Sequence, residues 1–114
     1  MSIIPYPKEN KSISYKAGVY GSGVNHPIGT TPSTVDLSNA DYLQGILIAP
    51  ENETVYGAWG DTVNTSTASI MIDDTKAVFD YGSADPLPSN NLTFLSTGTN
   101  ALFNYQTAEK VIII

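Results

Sequence analysis

The sequence predicts an all-β domain, a small antiparallel β-sandwich or jelly-roll-like barrel with an extended N-terminal arm. The chain has 114 residues, which is the usual size of one domain. No stretch sustains the apolar stripe of an amphipathic helix, and short runs with strand character recur between clusters of Gly, Pro, Asn and Asp. We therefore divide the chain into an arm, residues 1–11, and a single β domain, residues 12–114.

The chain begins with a segment that is predicted to be extended. Pro5 and Pro7 fix φ and remove backbone donors on either side of Tyr6. Apolar and polar side chains then alternate over residues 12–20, and this period of two predicts the first strand. Residues 21–32 contain repeated Gly, Asn and Pro and are predicted to form a long loop.

The middle of the chain is predicted to hold five strands and one helical turn. A Ser followed three residues later by an acid predicts the helical turn over 38–44. The dense apolar run 43–49 predicts a central strand covered on both faces. The polar turn 73–75 predicts that the strands beside it form a hairpin. The five strands are 34–37, 43–49, 54–59, 67–72 and 76–81.

The last part of the chain is predicted to contain a loop and three strands. Two prolines place the loop over residues 83–91, and the strands follow at 92–95, 101–105 and 110–114. The predicted core consists of the apolar positions in the strand patterns: Ile13, Tyr15, Val19, Leu37, Ile46, Ile48, Val55, Ile70, Ile72, Val78, Phe79, Leu92, Phe94, Leu102, Phe103, Val111 and Ile113.

Charge and composition exclude several classes of partner. The five basic residues are scattered lysines, and with 11 acidic residues the net charge is −6. Nucleic-acid binding needs clustered basic side chains, so none is predicted. The purely apolar run 111–114 is far shorter than a membrane span, and the N-terminus lacks the features of a secretory signal. No membrane association is predicted.

No motif predicts catalysis, a cofactor or a metal site. The chain has no Cys and one His, which excludes thiolate chemistry and disfavours imidazole metal sites. His26 lies among Gly and Pro residues and is interpreted as an exposed loop residue. Asp73 and Asp74 are interpreted as turn formers, and neither a calcium-loop nor a nucleotide-loop pattern occurs. We predict a protein that is not an enzyme.

Three aromatic residues suggest an alternative function. Tyr20, Tyr56 and Trp59 flank glycines, where a ring can lie exposed and stack on a sugar. A carbohydrate-binding or adhesin-like domain is therefore the rival hypothesis. Packing in the core or at a subunit interface explains the same residues without a ligand.

The two ends of the chain carry apolar residues that favour protein contacts. Ile3, Ile4 and Tyr6 precede a polar segment that offers them little to pack against. The C-terminal strand pattern ends in Ile112, Ile113 and Ile114 and would be a hazard as an uncovered edge. We predict that both ends contact another chain. The alternative is that both ends fold back on their own sandwich.

The organisation of the whole chain resembles a class of viral proteins. The chain is small, acidic, free of Cys and Arg, rich in Ser, Thr, Asn and Tyr, and has an apolar proline-containing arm. In these features it resembles accessory virion proteins of tailed bacteriophages, such as head decoration proteins and the base domains of head fibres. The resemblance implies a structural protein in the virion, bound to copies of itself or to a major capsid or other virion protein.

Overall fold

The chain folds into β-strands joined by turns and loops. The computed structural model describes residues 13–15, 23–82 and 85–112 and contains no helix in these residues. This confirms the all-β prediction, while the predicted arm, residues 1–11, lies outside the described residues. The strands are β1 (Ile13–Tyr15), β2 (Val24–Ile28), β3 (Ser33–Asp36), β4 (Tyr42–Ile48), β5 (Thr54–Trp59), β6 (Ile70–Asp73), β7 (Lys76–Tyr81), β8 (Asn91–Ser96), β9 (Ala101–Ala108) and β10 (Lys110–Ile112).

Eight of the strands form two antiparallel sheets. Sheet I has the order β2-β9-β4-β7, and sheet II has the order β3-β8-β5-β6. The first strand pairs with the last, the second with the ninth, and so on inward to β5 with β6. The chain is thus one long hairpin rolled into a sandwich, which is the strand arrangement of a jelly roll. The predicted fold class is confirmed.

The core between the sheets contains much of what the sequence predicts. Residues of the predicted core that are buried are Leu37, Val55, Phe79, Leu92, Phe94 and Phe103, and Ile70 and Ile72 pack against them. Ile13, Tyr15 and Val111 lie in β1 and β10, and Val19 and Ile113 lie outside the described residues. The structure adds to the core Ile28, Val35, Leu43, Leu47, Ala49 and Ala101.

The prediction that β4 is covered on both faces is wrong. Leu43 and Leu47 are fully buried, whereas Ile46 and Ile48 are 41% and 40% exposed. Val78, the partner of Ile46 on β7, is 73% exposed. These three residues were expected in the core, as was Leu102, which lies opposite Ile48 on β9 and is only half-buried. Because side chains alternate along a strand, the strand can bury only one of its two apolar sets, and one face of sheet I therefore carries apolar residues outward.

Two local predictions near the start of the sandwich are also wrong. The predicted loop 21–32 contains strand β2, which pairs with β9. Pro27 fits there because β2 is an edge strand, where a missing backbone donor costs no ladder bond. The predicted helical turn at 38–44 is a tight turn instead, in which the Ala40 amide donates to the Leu37 carbonyl at 3.0 Å.

The predicted hairpin at 73–75 is a crossing between the sheets. Strand β6 pairs with β5 in sheet II, and β7 pairs with β4 in sheet I. Asp74 adopts the left-handed conformation, with φ of 53°, which Asp tolerates better than most residues. The Ala49 amide donates to the Thr75 carbonyl at 2.8 Å. This bond ties the crossing from β6 to β7 to the crossing from β4 to β5.

A buried carboxylate fixes the same end of the sandwich. Glu53 is only 8% exposed and accepts a hydrogen bond from the Ser96 hydroxyl at 3.0 Å. It also accepts one from the Asn100 amide, at 3.1 Å to Oε2. The acidic segment 51–53 therefore holds the loop between β8 and β9.

Candidate binding surfaces

The outer face of sheet I carries two cross-strand rows of side chains. Antiparallel register places their members directly opposite one another, so their side chains share a face. The first row runs from β2 to β7 through Asn25, Asn104, Ile46 and Val78. The second runs from β9 to β7 through Gln106, Gln44 and Asp80.

Amide side chains on this face are bonded to one another in pairs. Asn104 donates to the side-chain oxygen of Asn25, and Gln106 donates to that of Gln44 at 3.2 Å. A primary amide has two donor hydrogens and two acceptor lone pairs. Because each pair is joined by one hydrogen bond, its amides keep further donors and acceptors that can bond to a ligand on this face.

A groove with a volume of about 380 Å³ lies along these rows. Its lining includes Gln44, Gln106 and Asp80 as polar groups, and Ile46 and Val78 as apolar ones. This combination of apolar surface and a few polar groups is typical of ligand sites. No local sequence pattern predicts the groove, because its residues come from three strands that are distant along the chain.

The groove also borders Tyr105, whose side chain belongs to the interior. Its ring stacks on that of Phe103, with centroids 5.0 Å apart and an interplanar angle of 15°. Burial raises the pKa of the Tyr105 hydroxyl, and the negative charge of Asp36 raises it further. This tyrosine stays neutral at physiological pH.

The predicted stacking residues do not form one surface. Trp59 is half-buried, and its ring meets that of Tyr81 edge-on, with centroids 5.3 Å apart, and that of Phe79 at 6.4 Å. Tyr56 is three residues earlier on β5, so its side chain lies on the opposite face, beside Met71. Tyr20 lies outside the described residues. Trp59 belongs to the aromatic packing between the sheets.

The predicted partner residues at the two ends are only partly described. Ile112 lies in β10 opposite Ile13 of β1. Ile3, Ile4, Tyr6, Ile113 and Ile114 lie outside the described residues. Strands β1 and β10 form a two-stranded ribbon of their own.

His26 is not the exposed loop residue that the sequence suggested. It lies on β2, half-buried, and its Nε2 is 2.9 Å from the hydroxyl of Ser33. Its ring is 6.4 Å from that of Phe94. Burial lowers the pKa of the imidazole below 6.5, so the ring is neutral at physiological pH. The pair joins sheet I to sheet II.

Acidic and histidine side chains are dispersed over the described part of the chain. Within it, no group of three or more His, Asp or Glu side chains is placed to hold a metal ion. The same residues include no helix long and apolar enough to cross a membrane.

Comparison of the chain with protein-family models, with curated proteins and with solved structures gives no match.

Proposed function

We propose that this protein is a non-enzymatic virion structural protein, of the capsid decoration, minor capsid or fibre-associated kind, that assembles through its two ends. The contacts are assigned to Ile3, Ile4 and Tyr6 and to residues 112–114. Its partners are copies of itself, a major capsid or other virion protein, or both, and its location is the virion.

The observation that carries this proposal is the pairing of β1 with β10. This ribbon is a two-stranded sheet separate from sheets I and II, and an isolated two-stranded sheet has marginal stability in water. A neighbouring chain that packs on the ribbon or extends it would stabilise it. Strands β1 and β10, which adjoin the two apolar ends in the sequence, are paired with each other.

The character of the surface supports the proposal. Only 14% of the residues are charged, and neutral polar groups cost less to remove from water at an interface than charged ones. The jelly roll is also a frequent architecture of viral capsid domains. It hosts lectins as well, so the fold favours the proposal only by analogy.

The test is deletion of residues 1–7 and, separately, substitution of Ile113 and Ile114 by Ser. The proposal predicts that each change reduces the molar mass in solution toward 12.2 kDa and leaves the melting temperature of the sandwich within a few degrees. An unchanged molar mass combined with a lower melting temperature would show that the ends serve their own core, which contradicts the proposal.

A second candidate function is carbohydrate binding, and the groove on sheet I favours it. Its amide side chains and Asp80 offer alternating donors and acceptors that suit vicinal hydroxyls, while Ile46 and Val78 offer apolar contact to the C–H groups of a sugar ring. Carbohydrate binding proposed on this basis depends on the groove and not on stacking by Trp59.

A glycan array tests this second candidate. Binding that is lost in Gln44→Ala and retained in Tyr56→Ala would support a saccharide site in the groove, because Tyr56 lies on the other sheet. An array without specific binding, or binding that both variants retain, would contradict it.

A further inference from the structure

Strand β7 is a long edge strand of sheet I. It pairs with β4 on one side, and no strand of the described residues pairs with its other side. Among the other edge strands, β2 contains Pro27, while β3 and β6 have four residues each. Proline and short length are ways in which proteins protect an edge from pairing with another chain. Strand β7 has six residues and no proline.

The backbone amides and carbonyls at the unpaired edge of β7 belong to the residues whose side chains lie on the outer face of sheet I. The Ala49 amide donates to the Thr75 carbonyl, and antiparallel partners alternate between bonded and non-bonded pairs. In the register of β4 and β7, residues 77, 79 and 81 therefore bond to β4. The amides and carbonyls of Lys76, Val78 and Asp80 point to the open edge.

The side chains of these three residues place opposite charges at equal distances on either side of Val78. Lys76 and Asp80 are both exposed and carry opposite charges two residues on either side of it, and Val78 is 73% exposed. Within one chain the two charges are about 13 Å apart along the strand, too far to form a pair. Neither has an ion-pair partner among the described residues.

From this arrangement we propose that β7 pairs antiparallel with β7 of a second copy of this chain, about a twofold axis at Val78. In that register Val78 faces its own counterpart, and Lys76 of each copy faces Asp80 of the other. The dimer thus contains two cross-strand charge pairs and one apolar contact. Sheet I of one copy and sheet I of the other then form one continuous sheet of eight strands. This is a β-augmentation in which both partners use the same strand.

This interface goes beyond the proposed function, since it uses neither end of the chain. It also depends on charge complementarity that only an antiparallel, self-paired register provides. A parallel pairing in register, or one shifted by two residues, would lose one or both charge pairs.

Disulfide trapping tests the proposal directly, because the chain has no cysteine of its own. In Val78→Cys the two introduced thiols would face each other, with Cα atoms about 5.5 Å apart, within the range that a disulfide spans. Mild oxidation should therefore convert most of the protein to a covalent dimer. The matched control is Met71→Cys, 63% exposed on the outer face of sheet II, which should form no covalent dimer under the same conditions.

A charge exchange tests the register. Lys76→Asp or Asp80→Lys alone places like charges opposite each other twice in each dimer, and each should weaken dimerisation about tenfold. The double variant Lys76→Asp/Asp80→Lys should restore it. All variants are first checked for the circular dichroism spectrum of the parent chain.

Equal crosslinking of the two cysteine variants, or a double exchange that dimerises no better than either single one, would overturn the proposal. Deleting residues 1–7 should leave crosslinking at position 78 unchanged. A failure here is therefore distinguishable from a failure of assembly through the ends.

Discussion

The aromatic ring of Phe103 lies against the backbone of Gly45, so closely that a Cβ atom at position 45 would be 2.8 Å from Cε1 of the ring. Gly45 is on β4 opposite Tyr105 of β9. The contact requires that the face of β4 that contains Gly45 points toward the core of the sandwich. It thereby places Leu43 and Leu47 in the core and turns Ile46 and Ile48 outward.

Gly45→Ala is expected to destabilise the fold. The added methyl group would overlap Phe103 and the Cβ of Tyr105, and overpacking of this kind costs about 1–3 kcal/mol. Chemical denaturation measures the loss. Gly29→Ala is the matched control, because no atom lies within 4 Å of its Cβ position. Equal effects of the two substitutions would contradict the contact.

Two neighbouring residues of β4 should respond very differently to truncation. Leu47 is fully buried and Ile46 is 41% exposed. Leu47→Ala should lower the free energy of unfolding by about 2–5 kcal/mol, and Ile46→Ala by no more than about 1.5 kcal/mol. Urea unfolding of both variants checks this. A larger loss in Ile46→Ala would mean that the outward face of β4 is assigned incorrectly.

Glu53→Ala should loosen the end of the sandwich where the chain crosses between sheets. It removes the acceptor for the Ser96 hydroxyl and the Asn100 amide, and hydrogen bonds to a charged group contribute about 1.5–3 kcal/mol. Thermal unfolding measures the effect. Glu51→Ala removes an equal charge from an exposed position in the same turn and should change stability by no more than about 0.5 kcal/mol.

His26 should titrate below the ordinary range of histidine. Burial lowers the pKa of its imidazole below 6.5, and because it is the only histidine in the sequence its NMR signal is unambiguous. The unfolded chain binds this proton at higher pH than the folded one. The contribution to stability is therefore complete above pH 6.5 and is lost as the pH falls through the folded pKa.

Replacement of this residue by His26→Gln should remove that part of the pH dependence and leave the part due to carboxylates. An imidazole midpoint at or above 6.5 in the folded protein would show that the ring is not buried beside Phe94 as the structure has it.

Local patterns in the sequence predicted the strands better than their partners. Residues 54–59 and 76–81 have the predicted bounds, because alternation and flanking turns are local properties. The turn at 73–75 favoured a hairpin, but β7 pairs with β4 instead. The hydrogen bond between Ala49 and Thr75 accompanies the pairing of β7 with β4. It joins residues far apart in sequence, and no local pattern predicts it.

The surface on sheet I was not predictable for a similar reason. Gln44 and Gln106 meet across 62 positions of the chain, and Asn25 and Asn104 across 79. Their meeting depends on the register of the nested hairpin. The sequence predicts no strand at β2, because Pro27 and its neighbours are typical of a turn. The proline is compatible with a strand only because β2 lies at the edge of the sheet.

The molar mass of the intact chain in solution, measured by light scattering after size exclusion, tests the central claim most directly. A self-assembling structural protein should elute with a mass at least twice the monomer's 12.2 kDa, and this mass should decrease on dilution or on deletion of residues 1–7. A mass of 12.2 kDa at every concentration would contradict the account of this chain as a self-assembling structural protein.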